Sequence, residues 1–504
     1  MPQDLILSID QGTTGNHVHL FNHRGEVVSD GYAEFRQYYP KPGWVEHDAE
    51  EIYQNLLKVI RHTLTKKGIR TSRIAAIGIT NQRETLLLWD RKTGKPISKA
   101  IVWQCRRTAD LCERLKRNGL EKLFSQKTGL RLDPYFSGTK LKWLLDHLPA
   151  SRQKALQGKL LFGTIDSWLI WKLTGGAVHA TDFTNASRTL LFNIQKKVWD
   201  PELLQLLGIP KPLLPVVYSS TKVYGKSAKQ GPIPTGIPIT GVAGDQQAAL
   251  FGQGGWEKGS AKNTYGTGCF LLLNTGKRRV FSRNGLLTTL ACGRQGESVY
   301  ALEGSVFIAG AAIQWLRDGL KILSKASDSE KIAKRVDDTA GLYVVPAFVG
   351  LGAPYWNSSA RGSIFGLTRG TRRTHLVRAT LESIAYQTRD LVTAMEKDAK
   401  TPIRQLLVDG GATQNRFLMQ FQADLLQRKI YRSRMAHLTA QGAAFLAGLT
   451  IGFWKDEKEI EKVLGEKEIF EPKIKKEKSE KLYAGWLHAV QTLLAYAQHT
   501  GKNA

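Results

Sequence analysis

Apolar runs that end in an acid or in a turn rich in glycine and threonine recur along this chain. LILSID (5–10) is apolar and closes on an aspartate, and HVHLFN (17–22) alternates apolar and polar positions with period two. QGTTGN lies between them, so the pair predicts a β-hairpin and not the strand–loop–helix of a P-loop. A helix is predicted over 49–66, where Ile52, Leu56, Leu57, Val59 and Ile60 mark one face, and a buried strand over 74–80.

The second half repeats the opening theme. AKNTYGTGCFLLLNTG (261–276) again sets a Gly/Thr turn beside an apolar strand. LLVDGGATQNRFLMQF (406–421) passes from a strand through a glycine turn into a helix whose inward face holds Phe417, Met419, Phe421 and Leu425. The echo between positions 10–15 and 264–268 suggests two domains of related design, each offering a turn to a shared cleft. The division is expected in FGQGGW, with domains at 1–252 and 253–504. LTAQGAAFLAGLTIGFW (438–454) is uncharged, but its Gln, two Thr and three Gly suit a buried, closely packed helix better than a membrane span. The charged stretch 455–481 reads as a solvated helix and loop. A last amphipathic helix (Trp486, Val490, Leu493, Leu494) is expected to fold back onto the second domain.

Length supports the division, because 504 residues exceed the roughly 250–300 that one core serves. Four cysteines (Cys105, Cys112, Cys269, Cys292) form neither a CxxC pair nor a disulfide framework, and the amino terminus shows no secretory pattern. A reducing cytoplasm is expected, with no stable membrane insertion. The charge is less ordinary, with 72 basic against 44 acidic side chains and a net +28. The basic residues are dispersed, and no helix-turn-helix, RNA-binding or zinc pattern accompanies them, so no nucleic-acid partner is expected. A positive surface would still draw in a nucleotide.

Three stretches carry candidate chemistry. Asp10, Gly12, Thr13, Thr14 and Gly15 offer backbone amides and hydroxyls to a phosphate chain, with an acid placed to hold Mg²⁺. An ordinary tight turn looks the same taken alone. The turns at 264–268 and 409–412, containing Thr267 and Gly411, shift the balance towards phosphate or nucleotide binding. Asp245, between small residues after a strand, is placed to take a hydroxyl proton in phosphoryl transfer, or to cap the following helix, or both. Arg83 and Glu84 follow strand 74–80 and match vicinal hydroxyls as fixed donors and acceptors, although a surface ion pair is the commoner use of such neighbours. Trp103, Tyr135 and Phe270 could wall the carbon skeleton or simply fill the core.

At this point DQGTTG (10–15), AAIGITNQRET (75–85), IVWQCRRTA (101–109), DPYFSGTKLKW (133–143), TNASRTLLFNI (184–194), GDQQAALFGQ (244–253), KNTYGTGCF (262–270) and ATLESIAYQTRD (379–390) closely resemble the glycerol kinases of the FGGY carbohydrate-kinase family, over nearly the whole chain. The resemblance implies an α/β fold of two actin/hexokinase-type (ribonuclease-H-like) domains with an interdomain active-site cleft. It implies ATP and Mg²⁺, with glycerol as substrate, or failing that another small polyol or ketose, and a homodimer or homotetramer. Matched position by position, Arg83, Glu84, Trp103, Tyr135, Asp245, Gln246 and Phe270 form the polyol set, with Asp245 as general base. Thr13, Thr14, Gly15, His17, Thr267, Gly310, Gln314, Gly411 and Asn415 form the nucleotide set, and Asp10 with Asp245 surrounds the metal. NQRE and WQCRR favour glycerol over a sugar.

Two departures stand out. Where many of these kinases carry an arginine that reaches the nucleotide phosphates, this chain has His17, which implies weaker or pH-dependent ATP binding or compensation by another basic residue. Loop 226–236 lacks both the glycine–arginine pattern of a fructose-1,6-bisphosphate site and the histidine that some relatives phosphorylate, so neither form of regulation is expected.

Overall fold

The computed structural model describes residues 3–500. Its first large sheet comprises β1 (Leu5–Gln11), β2 (Gly15–Phe21), β3 (Val27–Glu34), β4 (Ile74–Asn81), β5 (Thr221–Lys226) and β6 (Pro238–Gly244), in the order β5-β6-β4-β1-β2-β3. β1 pairs antiparallel with β2 and β2 with β3, β1, β4 and β6 run parallel, and β5 returns antiparallel at the edge. The second sheet comprises β7 (Ser260–Tyr265), β8 (Cys269–Gly276), β9 (Leu287–Cys292), β10 (Ser298–Val306), β11 (Gln405–Asp409), β12 (Ile430–Ser433) and β13 (Lys467–Phe470). Its order, β9-β10-β8-β7-β11-β12-β13, repeats the first: an antiparallel set, two parallel neighbours beyond β7, and an antiparallel edge strand. The echo between the two Gly/Thr turns is therefore a repeated topology, with β9 as an extra strand.

Helix α1 (Ala49–Thr65) covers one face of the first sheet. Asp48 caps it by accepting from the Glu50 and Glu51 amides, and Ile52, Leu56, Val59 and Ile60 are buried while Leu57 is half-buried. Helix α2 (Asp245–Gly252) follows β6, α3 (Gly310–Asp318) follows β10, and α4 (Arg373–Ala399) supports the second sheet. Helix α5 (Arg416–Leu426) buries Met419, Phe421 and Leu425 and half-buries Phe417.

Helix α6 (Leu438–Ile451) belongs by sequence to the second half, yet it packs on β1, β4, β6 and α2 of the first. A chain division at 252/253 is crossed by this helix. Its contact with the sheet is backbone-close: a Cβ at Gly78 would run into the Ala443 carbonyl, and one at Gly241 into the Ala447 amide. Ser8 Oγ donates to the Ala440 carbonyl at 2.6 Å. Enclosure on several sides explains an apolar pattern that runs round the helix. Helix α7 (Lys476–Thr500) returns to the second core, burying Trp486, Val490 and Leu493 and half-burying Leu494. Among the described residues no helix is long and apolar enough to cross a membrane. All four cysteines are buried free thiols.

Candidate active site

The three parallel strands of the first sheet deliver their carboxyl ends to one place, as open α/β sheets do. β1 brings Asp10, β4 leads into Arg83 and Glu84, and β6 leads into Asp245 at the first position of α2. Arg83 turns away from the strand at φ 55°, a left-handed conformation that costs a non-glycine residue about 1–2 kcal/mol. Its guanidinium is buried and held on three sides. Nη1 donates to Glu303 Oε2 at 2.6 Å, Nη2 donates to Glu303 Oε1 and to the Tyr135 hydroxyl at 3.2 Å each, and Nε lies 3.1 Å from Asp245 Oδ1. Glu84 Oε1 accepts from Arg188 Nε at 2.7 Å, and Arg188 Nη2 donates to Glu303 Oε1 at 2.9 Å.

Four of the predicted polyol residues, Arg83, Glu84, Tyr135 and Asp245, are thus one connected cluster. Trp103 joins it edge-on to Tyr135, with ring centroids 5.5 Å apart, and donates its indole N–H to Thr13 Oγ1 at 3.0 Å. That bond ties the Trp103–Tyr135 pair to the first Gly/Thr turn. Gln246 is adjacent to Asp245, and Lys262 Nζ donates to its side-chain oxygen and, at 2.8 Å, to Thr264 Oγ1. Phe270 stands half-buried on β8, opposite Thr264 and Ser305.

Electrostatics sharpen the picture. Burial, and then the charge of Asp245, push the Asp10 pKa up to about 7. Asp245 itself is raised by burial against the pull of Arg83. The Asp245 charge that opposes ionisation of Asp10 marks the two carboxylates as neighbours, an oxygen donor pair suited to Mg²⁺, which binds through one or two carboxylates plus water and phosphate oxygens. Asp10 and Asp245 fit that role. Burial lowers the Lys262 pKa to about 8, against the opposing charges of Asp409 and Asp245.

A cavity of about 570 Å³ opens in the second half, a size suited to a small ligand. Thr267, Gly310, Gln314, Gly411 and Asn415 all line it, beneath apolar walls from Ile313, Leu381, Ile384 and Leu418. The Ala309 and Gly310 amides donate to the Thr267 and Gly266 carbonyls at 2.8 and 3.0 Å, which seats the start of α3 on the turn. The turn at 409–412 does not open directly into a helix. Gly411–Gln414 forms a short 3-10 turn, and Asn415 then caps α5 by accepting from the Leu418 amide at 2.9 Å.

Thr13, Thr14, Gly15 and His17 are not part of that cavity lining, and belong to the β1–β2 hairpin of the first sheet. His17 pairs in register with Asp10, but its ring faces Tyr32, His19 and His437 at centroid distances of 4.3, 5.4 and 6.0 Å. Burial and His437 lower its pKa. The imidazole is therefore uncharged at neutral pH, and any pH dependence it confers on nucleotide binding lies on the acid side.

Comparison with known proteins identifies the family. The FGGY carbohydrate-kinase N-terminal domain matches residues 5–252, and its C-terminal domain matches 261–451. The chain belongs to the FGGY family of carbohydrate kinases. It is 58% identical to a glycerol kinase of Geobacillus sp. (strain WCH70), over 97% of this chain and 99% of that protein. It is 55% identical to the glycerol kinase of Bacillus subtilis (strain 168) over the same shares. The structure of Plasmodium falciparum glycerol kinase with ADP superposes at a TM-score of 0.92 with 38% identity, covering 97% of this chain and 98% of that one. A gluconate kinase from Lactobacillus acidophilus, at 23% identity and a TM-score of 0.89, shares the fold.

Three charged residues at the site escaped the reading of the sequence: Arg188, Lys262 and Glu303. Each is buried where neighbours are apolar or small, as in TNASRTLLF around Arg188. A charge inside an otherwise buried stretch was the available signal, because such charges persist only when paired.

Proposed function

We infer that this FGGY kinase transfers the γ-phosphoryl group of ATP to glycerol, giving sn-glycerol 3-phosphate and ADP. The observation that carries the reading is identity of 58% and 55%, over essentially the full length, to proteins named glycerol kinase. The site is chemically apt for it. Arg83 and Glu84 offer donors and an acceptor for adjacent hydroxyls, and Trp103, Tyr135 and Phe270 offer apolar faces for the three-carbon chain. Asp245 accepts the proton of the attacking hydroxyl, whose oxygen bonds to the γ-phosphorus as the bond to the ADP oxygen breaks. Asp10 and Asp245 would hold Mg²⁺, whose charge would offset that of the phosphates.

The division of labour follows the two sheets. Residues 1–252 hold the polyol, save for the face supplied by Phe270, and the first phosphate turn; residues 253–504 hold the nucleotide, and α6 reaches back to the first sheet. The buried free thiols suit a reducing cytoplasm, and we place the enzyme there as a homodimer or homotetramer.

A coupled assay of ADP release, with glycerol, dihydroxyacetone, erythritol, xylulose and ribulose as acceptors, tests the reading. Glycerol is expected to give the highest kcat/KM. Absence of glycerol-dependent ADP release, or a preference for a ketose, overturns it.

A further inference from the structure

Arg83, Glu84, Arg188 and Glu303 form a buried group of two positive and two negative side chains, every one no more than 2% exposed. Three of them come from the first half of the chain. Glu303 comes from β10 of the second sheet. Its two oxygens take the Arg83 guanidinium fork-to-fork, and Oε1 is shared with Arg188, which in turn holds Glu84.

Stability alone gives a weak reason for such a group. Desolvating ions costs as much as their attraction returns, so apolar side chains of similar volume would serve the core about as well. The placement offers a better one. Arg83 carries five N–H donors, and with Nη1 and Nη2 turned to Glu303 its Nε is the edge that lies towards Asp245.

The seam around Glu303 is built to hold it there. Ser187 Oγ meets Thr289 Oγ1 at 3.1 Å, the Thr288 amide donates to the Gly129 carbonyl at 2.9 Å, and Gln247 Nε2 donates to the Leu290 carbonyl at 3.1 Å. Strand β9, neighbour of β10, is thereby docked on the first half next to Arg188. Both Arg188 and Glu303 are ionised, Glu303 with its pKa held down to about 2 by the two arginines in spite of its burial.

We propose that Glu303 is a positioning residue for the polyol site, acting from the second sheet with Arg188 to fix the Arg83 guanidinium and the Glu84 carboxylate in the orientation that glycerol meets. The inference rests on the glycerol reading above. It adds to Phe270, which offers an apolar face from the same half, a charged residue of the nucleotide-binding half on which the polar grip of the substrate depends.

The test is steady-state kinetics with both substrates on wild type, Glu303→Gln and Arg188→Lys, with ATP-induced thermal shift reporting folding and nucleotide binding. Glu303→Gln removes the charge shared by two guanidiniums, and Arg188→Lys replaces a planar fork, whose Nε and Nη2 reach Glu84 and Glu303 separately, by a single nitrogen without that fixed geometry. We expect the KM for glycerol to rise about tenfold or more in Glu303→Gln and at least about threefold in Arg188→Lys, with the KM for ATP within about twofold of wild type. A purely structural role would raise both KM values together or neither, and either result overturns the proposal. If Glu303→Gln does not fold, Arg188→Lys decides by the same criterion. Failure of the glycerol reading is distinguishable, because it shows in the wild type as absence of glycerol-dependent turnover.

Discussion

Arg83 Nε lies 3.1 Å from Asp245 Oδ1, which places a permanent cation against the carboxylate at the head of α2. The pair joins the groups that would grip glycerol to the group that would deprotonate it. Asp245→Asn keeps the shape and the contact to Arg83 but removes the base. A positioned base contributes about 10²–10⁴-fold, so kcat is expected to fall by at least about 10². Arg83 retains Glu303 and Tyr135, so the melting temperature should stay within a few degrees of wild type. Near-wild-type kcat in Asp245→Asn would remove Asp245 from the mechanism.

Gly411 offers a clean probe of the cavity in the second half. It lines the cavity, and a Cβ built there meets no heavy atom within 4 Å. Gly411→Val therefore starts from an open Cβ position and adds its methyl groups to ligand space. The expected result is a KM for ATP raised about tenfold or more, an unchanged KM for glycerol, and stability within about 0.5 kcal/mol of wild type. An unaltered KM for ATP would place the nucleotide elsewhere.

Much of this site was legible in the chain because its parts are local. A strand ending in Asp10, a strand ending beside Arg83 and Glu84, and a strand leading to Asp245 each announce themselves within about ten residues, and the parallel sheet then brings their ends together. Glu303 was not legible, since its meaning lies in Arg83, 220 residues away. The docking of α6 on the first sheet was hidden for the same reason: its apolar pattern declares burial but names no partner. His17 shows a third limit. The substitution was visible, whereas its neutral state depends on His437 and on burial that only the fold supplies.

His19, two residues further along β2, makes a pH prediction. Both of its ring nitrogens are buried without a hydrogen-bond partner, and burial, with His437 and His17, pushes its pKa down from 6.5 to about 3. Between these values the unfolded chain binds the proton more readily than the fold does. The contribution of the neutral ring is therefore intact above about pH 6.5 and is lost progressively as the pH falls towards 3. At pH 5.5 the loss amounts to about 1.4 kcal/mol. His19→Phe removes the proton-binding group, so its melting temperature relative to wild type should rise as the pH is lowered from 7.5 to 5.5. A difference that does not change with pH would mean that His19 is not held neutral.

The packing of α6 links stability to catalytic geometry. A Cβ at Gly442 would sit inside contact distance of the Ala248 carbonyl carbon, at 2.7 Å, and 3.0 Å from the Gly252 amide nitrogen, so the backbones of α6 and α2 touch. Gly442→Ala must push the two helices apart, which costs about 1–3 kcal/mol. Helix α2 begins with Asp245, so the same displacement moves the carboxylate. A shift of about 1 Å at a reacting group can cost about 10²-fold in rate. Gly452→Ala is the control. Gly452 ends the same helix at φ 72° with nothing within 4 Å of a Cβ, so alanine there strains the backbone without moving α2. Both variants should melt earlier, and only Gly442→Ala should lose kcat well in excess of its loss of folded protein. Equal kcat in the two, at matched folded fractions, would show that α6 supports the fold without setting the position of Asp245.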